Sequence, residues 1–467
     1  MAAAPFDGPA NSLDNGLASG PADGLAEGLA AHLQAWALQL GASPAQAQAA
    51  ALAAQQLSTA MAEGHVCLGL AALQATADSP GTASGWRTAL LGAGVTGTPA
   101  APGAMPLILH RYFDYEQRLA RRLIAAAHAP PTPVIEPVAA QLRQLFAGNT
   151  ALAAGQPDWQ ALGAALALRQ RLVVISGGPG TGKTTTVVNL LACLLTQQPD
   201  ARIALAAPTG KAAARMSDAL RGRARHLPEA LRSRLPTESF TIHRLLGVTP
   251  AAGGFVHHAG HRLALDVLVV DEASMLDLAL ATKLLEAVPE GARIVLLGDK
   301  DQLAAVESGA VFAELSADPR LSPACAQALA TLCGLPAGAV QAPAPTQPSA
   351  LRDTAVWFSQ NFRFAADSGI GLLAQDIRQG QAAPALARLR TGADPALQWL
   401  DDGGPQPGAA TLQALADGHA PYLAAVQQAL AQGGTPDVAA LMRAFDGFRV
   451  LCAVREGPRG QGAVNER

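Results

Sequence analysis

Residues 177–184 read Gly-Gly-Pro-Gly-Thr-Gly-Lys-Thr, a spacing of glycines, lysine and hydroxyl that fits the phosphate-cradling loop of nucleotide hydrolases. Gly177, Gly178, Gly180 and Gly182, with Pro179 and Thr181 between them, let consecutive backbone N–H groups turn inward around an anion. The helical segment that follows adds the partial positive charge of its N-terminus. Lys183 is placed to reach the β- and γ-phosphates, Thr184 to offer its hydroxyl to Mg²⁺, and Thr185 to extend the cradle. ATP with Mg²⁺ is the expected ligand. Lysine usage points the same way, because the chain holds only Lys183, Lys211, Lys283 and Lys300 and otherwise uses arginine. A compact ammonium at Lys183 runs against that trend, as a phosphate loop requires. The other three lysines read equally well as surface residues.

A second pattern supplies the acids. Residues 268–274 read LVVDEAS, placing Asp271 and Glu272 just past an apolar strand, where α/β sheets hold their ligands. Asp271 is expected to hold Mg²⁺ with Thr184. Glu272 is expected to orient or deprotonate the attacking water, since a weak nucleophile needs a base within hydrogen-bond reach. No further carboxylate cluster suggests metal-dependent cleavage of nucleic acid, so nuclease activity is not expected.

These residues need a scaffold. Apolar runs at 171–176, 202–207, 267–270 and 294–297 alternate with helical stretches, the signature of a parallel sheet covered on both faces. Upstream, Leu25, Leu29, Leu33, Trp36 and Leu40 recur at the spacing of one face of an amphipathic helix. Ala-rich helices follow, and residues 111–127 are helical until Pro130, Pro131, Pro133 and Pro137 break the chain. Residues 316–350, rich in Ala, Pro, Gly and Gln and ending in PAPTQPS, read as a linker or insertion. Beyond them residues 355–358 and 448–454 read as strands, too few for a whole sheet. Residues 1–20 are expected to fray. The expected organisation is a small helical N-terminal domain over 1–135, a first parallel-sheet ATPase core over 136–315, the linker, and an incomplete second core over 351–467.

Composition sets outer limits. The 467 residues are 50% hydrophobic and 15% charged with a net charge of −3, which fits helix-rich globular structure and carries no global nucleic-acid signature. Locally, residues 211–244 hold Lys211, Arg215, Arg221, Arg223, Arg225, Arg232, Arg234 and Arg244 against Asp218, Glu229 and Glu238, an excess suited to phosphates. Phe240, Phe362 and Phe364 lie beside the motifs as candidate stacking platforms for bases. Five scattered cysteines without a CxxC pair read as reduced thiols. With neither a leader-like N-terminus nor a run of membrane-spanning length, a cytoplasmic location is expected.

Further segments resemble the superfamily 1 helicases, in which two RecA-like cores hold ATP between them and single-stranded DNA across their top. They are APTGKAA at 207–213, GDKDQL at 298–303 and QNFRF at 360–364. The resemblance implies that Pro208, Thr209 and Lys211 contact the single strand, that Gln302 senses the γ-phosphate, and that Arg363 is an arginine finger. TIHRLLG at 241–247 is similar to the T-x-H segment of the branch that moves 5′ to 3′. There His243 either touches DNA or serves as a structural hydrogen-bonder. Gln160, just upstream of the first strand, is placed like the adenine-reading glutamine of these proteins.

GGPGTGKTTTV, DEASMLD, SGIGLLAQDIRQG, LCAVREGP and the more distant GHVCL narrow the likeness to the alpha subunits of exodeoxyribonuclease V, the RecD family. It implies a DNA helicase subunit that joins beta and gamma partner subunits and acts on duplex ends in recombinational repair. Two further motifs expected beyond LCAVREGP do not occur, which implies a piece of a longer chain. The alternative is a nucleotide-sensing assembly subunit that docks through its helical domain and lacks motor activity of its own. A AAA+ loader would fit the first two motifs but not QNFRF or TIHRLLG.

Overall fold

Alanine sets the geometry of the N-terminal region. In the computed structural model α1 (Pro21–Gln39) packs on α2 (Pro44–Ala62). Ala26 and Ala37 of α1 are buried, and Ala37 is set against a wall of methyl groups that includes Ala47, Ala50 and Ala53. Of the larger side chains expected on one face, Leu29 and Leu33 are half-buried, whereas Leu25 is 71%, Trp36 44% and Leu40 54% exposed. Small residues on both helices let the backbones approach closely, and that dense contact decides the packed face. Beyond them β1 (Cys67–Gly69) pairs antiparallel with β2 (Pro106–Ile108), and α3 (Ala83–Gly92) between them contributes the buried Trp86.

The structure describes residues 21–62, 65–73, 80, 82–96, 106–148, 157–249, 254–302, 311–346, 348–365, 367–432 and 436–466. Residues 1–20, Gly64 of GHVCL and Leu303 of GDKDQL lie outside them. The chain divides into two units, residues 1–363 and 364–467.

In the first unit α4 (His110–Ala127), α5 (Glu136–Phe146) and α6 (Trp159–Arg169) lead into β3 (Leu172–Gly177). There follow α7 (Lys183–Gln197), β4 (Ile203–Ala207), α8 (Gly210–Arg223), α9 (Glu229–Arg232), β5 (Phe240–Thr241) and α10 (Ile242–Leu246). Next come β6 (Val267–Val270), α11 (Leu278–Ala287), β7 (Arg293–Gly298), α12 (Val311–Ser316), α13 (Pro323–Cys333) and β8 (Ala355–Phe358). The strands form one parallel sheet in the order β5-β4-β6-β7-β3-β8. Helices α5, α6, α7 and α13 supply the core on one face, and α4, α10, α11 and α12 on the other. Strands β3 and β6 are buried along their whole length, the reason they are apolar throughout rather than alternating.

Two expectations about the middle of the chain need correction. Residues 355–358 do not open a second core: β8 pairs with β3, from Val174 against Ala355 to Gly177 against Phe358. An edge strand leaves a row of unpaired N–H and C=O groups, and β8 satisfies that row on β3. Nor are residues 316–350 a mere linker, because α13 buries Cys325, Leu329 and Leu332 in the core shared with α5 and α6. The polar ends of the segment are pinned as well. Asp318 accepts from Arg320 and from the Ser349 N–H at 2.8 Å, and the Arg320 guanidinium holds its carboxyl down at about 2.

The second unit comprises α14 (Gly369–Arg378), α15 (Ala382–Thr391), α16 (Ala409–Gln432), α17 (Val438–Asp446) and α18 (Gln461–Asn465). Arg388 pairs with Asp376 at 3.0 Å, and His419 meets the ring of Phe448 edge-on at 5.0 Å. Residues 448–454, expected as a strand, pair with no strand among the described residues, and Leu451 is 94% exposed. An apolar run becomes a strand only where a neighbour takes up its backbone hydrogen bonds. No described helix is long and apolar enough to cross a membrane.

Placement of β8 in the first sheet yields a direct test. Phe358 is buried, and a methyl added at Gly163 of α6 would lie 3.1 Å from its ring. Phe358→Ala should therefore destabilise the first unit by about 3–5 kcal/mol in urea unfolding followed by circular dichroism. A loss under about 1 kcal/mol would place β8 outside that core.

Candidate nucleotide and nucleic-acid site

Strands β6, β7 and β3 are consecutive in the sheet and parallel, so their C-terminal ends bring Asp271, Asp299 and the phosphate loop together, as such sheets bring ligands. Gly180 and Gly182 carry the loop at φ +83° and +81°, conformations that side chains disfavour. Within the loop Thr181 Oγ1 donates to the Gly178 carbonyl at 2.8 Å, and Lys183 Nζ donates to the carbonyls of Gly177 and Gly178, the latter at 3.2 Å. Burial lowers the Lys183 pKa. The charges of Asp299, Asp271 and Glu272 oppose that shift, and the nearby Arg363 adds to it.

Burial pushes the Asp271 carboxyl up, against a hydrogen bond from the Glu272 N–H at 2.9 Å and the charge of Lys183. Glu272 is also pushed up, first by burial and then by Asp271, while Lys183 and Arg215 of α8 draw it down. Its backbone lies in the left-handed region at φ 53°. A non-glycine residue there costs about 1–3 kcal/mol and persists only where its surroundings enforce it. Gln302 reaches back to this strand end: Ser274 Oγ donates to its Oε1 at 3.3 Å, and its N–H donates to Asp299 O at 3.2 Å.

Asp299 was overlooked in the sequence, yet it is only 6% exposed and leads the charges acting on Lys183. The available signal was an acid at the end of β7, the strand beside that of Asp271. Among the described residues no group of three or more His, Cys, Asp or Glu is arranged to hold a metal ion. Mg²⁺ bound with a triphosphate asks for less, one or two carboxylates plus phosphate oxygens and water. Thr184 and Asp271 fit that donor set. Thr185, expected to extend the cradle, accepts from the Arg223 guanidinium.

Gln160 Nε2 donates to the Thr181 carbonyl at 2.8 Å, which brings this residue to the loop. It shares a cavity of about 390 Å³ with Asp158, Trp159, Thr181, Phe358 and Phe362. Phe362, a candidate platform for DNA bases, thus lies beside the phosphate loop. The segment ahead of Arg363 touches the loop directly: Asn361 Nδ2 donates to Pro179 O at 2.8 Å, and the Phe362 N–H donates to Gly180 O at 2.9 Å.

The expected strand contacts lie on the other half of the sheet. Pro208 and Thr209 follow β4, and Thr209 Oγ1 caps α8 by accepting from the Ala212 N–H at 3.2 Å, next to the exposed Lys211. His243 stands on α10 after β5, the neighbour of β4; it is exposed, with its ring 5.8 Å from that of Phe255. Arg244 covers the ring of Phe240 at 5.3 Å. Part of the local basic excess is spent internally, on the pairs Arg221–Asp218 and Arg232–Glu229.

The sequence profile of an AAA domain matches residues 160–308. The RecBCD enzyme subunit RecD of Mycobacterium tuberculosis is 35% identical over 368 residues, covering 77% of this chain and 55% of that protein. RecD of Haemophilus influenzae is 39% identical over 234 residues, covering 48% and 36% respectively. The ATP-dependent RecD2 DNA helicase of Deinococcus radiodurans is 38% identical over 185 residues, covering 37% and 23%. The chain spans about half the length of the first of these relatives. Over the residues that align, from the phosphate loop through the acids at the strand ends, the chain is similar to RecD subunits.

Proposed function

We propose that this chain carries the ATP-hydrolysing part of a DNA helicase subunit that moves 5′ to 3′ and joins two partner subunits in an exodeoxyribonuclease V type of complex, processing duplex ends for recombinational repair. The observation that carries the reading is the convergence of Lys183, Asp271, Glu272, Asp299, Gln302 and Arg363 around one phosphate loop. The polarity rests on the TIHRLLG segment. The exposed Leu25 and Trp36 of α1, with Leu40 just past its end, support docking of a partner on the N-terminal helices, since exposed apolar groups of that size favour an interface.

In this mechanism Lys183 exchanges the carbonyls of Gly177 and Gly178 for β- and γ-phosphate oxygens, which are stronger acceptors. Arg363 meets the γ-phosphate from the side of the loop held by Asn361. Thr184 and Asp271 would hold Mg²⁺, which would supply neutralisation of phosphate charge when bound. Glu272 accepts the proton of the attacking water. Gln302, tied to Ser274, registers the γ-phosphate, while Gln160 and the cavity beside it take the base. Pro208, Thr209, Lys211 and His243 form the single-strand track, whose grip alternates as the phosphate contact is made and lost.

Two measurements test this. Single-stranded DNA should stimulate ATP hydrolysis, and Lys183→Ala should lower the stimulated rate by on the order of 10²-fold or more. Hydrolysis that ignores DNA, with and without partner subunits, would favour an assembly subunit. The pH profile of kcat/KM is the second measurement. Glu272 must be ionised and its pKa is raised, so activity falls on acidification at a pH above the ordinary carboxylate range. Lys183 must be charged and its pKa is lowered, so activity is lost on the alkaline side below the ordinary lysine value. Glu272→Gln should abolish the acid limb with about 10²–10⁴ of the rate, leaving nucleotide binding intact; an unchanged acid limb would remove Glu272 from the role of base.

A further inference from the structure

The segment that follows β8 is bonded to the apex of the phosphate loop through one side chain that faces both ways. Asn361 Nδ2 donates to Pro179 O at 2.8 Å, and its Oδ1 accepts the Arg363 N–H at 2.7 Å. A second bond runs beside it, from the Phe362 N–H to Gly180 O at 2.9 Å. The fit is close: a Cβ at Gly180 would lie 2.7 Å from both Asn361 Oδ1 and Arg363 Cβ.

Only an amide meets both demands. An acceptor, Pro179 O, faces one end and a donor, the Arg363 N–H, faces the other, which also fixes the orientation of the amide. An aspartate of the same shape would keep the acceptor but set a second oxygen against Pro179 O. An alanine would lose both bonds. Fixing the backbone of one residue costs about 1–2 kcal/mol, so a guanidinium on an unfixed backbone would surrender part of its attraction for a phosphate to ordering. Tying the backbone N–H of Arg363 to the loop removes part of that cost beforehand.

We infer that Asn361 is a positioning residue that yokes the apex of the phosphate loop to the backbone of Arg363, so that a nucleoside triphosphate in the loop finds the guanidinium already aimed at its terminal phosphate. This deepens the ATPase reading and rests on it. Asn361 makes no contact with the reacting phosphate in this scheme and acts through Arg363 alone. Its removal therefore costs affinity for the third phosphate and spares the first two.

Equilibrium titration of the chain with Mg²⁺ and fluorescent mant-ADP or mant-ATPγS separates these contributions. Asn361→Ala should weaken mant-ATPγS about tenfold and leave mant-ADP within about twofold. Asn361→Asp, which keeps the size and the acceptor for Arg363, should show the same selective loss. Arg363→Ala should show it too, and the double variant Asn361→Ala/Arg363→Ala should bind no worse than Arg363→Ala alone, because the two act as one unit. The mant-ADP titration counts competent sites in every variant, so a folding defect cannot imitate the result. Equal weakening of both nucleotides, or losses that add in the double variant, would overturn the positioning role while leaving the ATPase reading in place. A wild-type chain that binds neither nucleotide would overturn the ATPase reading and this inference together.

Discussion

The ammonium of Lys183, largely withdrawn from water, donates to the carbonyls of Gly177 and Gly178 within the field of Asp299, Asp271 and Glu272. Burial makes its charge costly, the three carboxylates offset that cost, and Arg363 adds to it. Asp271 and Glu272 are in the mirror situation, each pushed toward its neutral form by burial. On the proposed function, a phosphate between Lys183 and Arg363 would turn their repulsion into two attractions. Rigid elements must hold these charges together, and the sheet does so by ending β6, β7 and β3 side by side.

How far the sequence disclosed this depended on the range of the interaction. Strands β3, β4, β6 and β7 were legible because burial on both faces leaves an unbroken apolar run. The phosphate loop, Asp271 and Glu272 were legible because contiguous residues perform their chemistry. β8 was legible as a strand but not as a member of the first sheet, since its partner β3 is nearly two hundred residues upstream and no local pattern encodes that pairing. The same distance hides from the sequence that Phe362, just past β8, lies beside the loop. In α1 the bulky stripe was plain in the sequence, but alanines on the facing helix decided which side packs. Asp299 is not distinguished by the sequence alone, because its place near Lys183 depends on the pairing of β7 with β3.

Hydrolysis is useful to a motor only if loss of one phosphate changes the hold on a distant strand, and the sheet order limits how this can happen. The phosphate loop follows β3, while Pro208 and Thr209 follow β4, with β7 and β6 between them. A hydrogen-bonded parallel sheet flexes little, so the change has to pass through groups at the strand ends rather than through the strands. Three links span that rim. Ser274 and Gln302 join the ends of β6 and β7 at 3.3 Å. The Asp271 N–H donates to Ala206 O at 2.9 Å, two residues before Pro208. Arg215, on the helix that begins beside Lys211, acts on the charge of Glu272. The last of these couples charge to charge: whatever alters the protonation or placement of Glu272 alters the field on α8, the helix that carries the expected DNA contacts. Coupling between sites requires an element with two discrete arrangements. Glu272, with its backbone in the left-handed region and its charge acted on by Asp271 and Arg215, is the charged group that the phosphate site and α8 share.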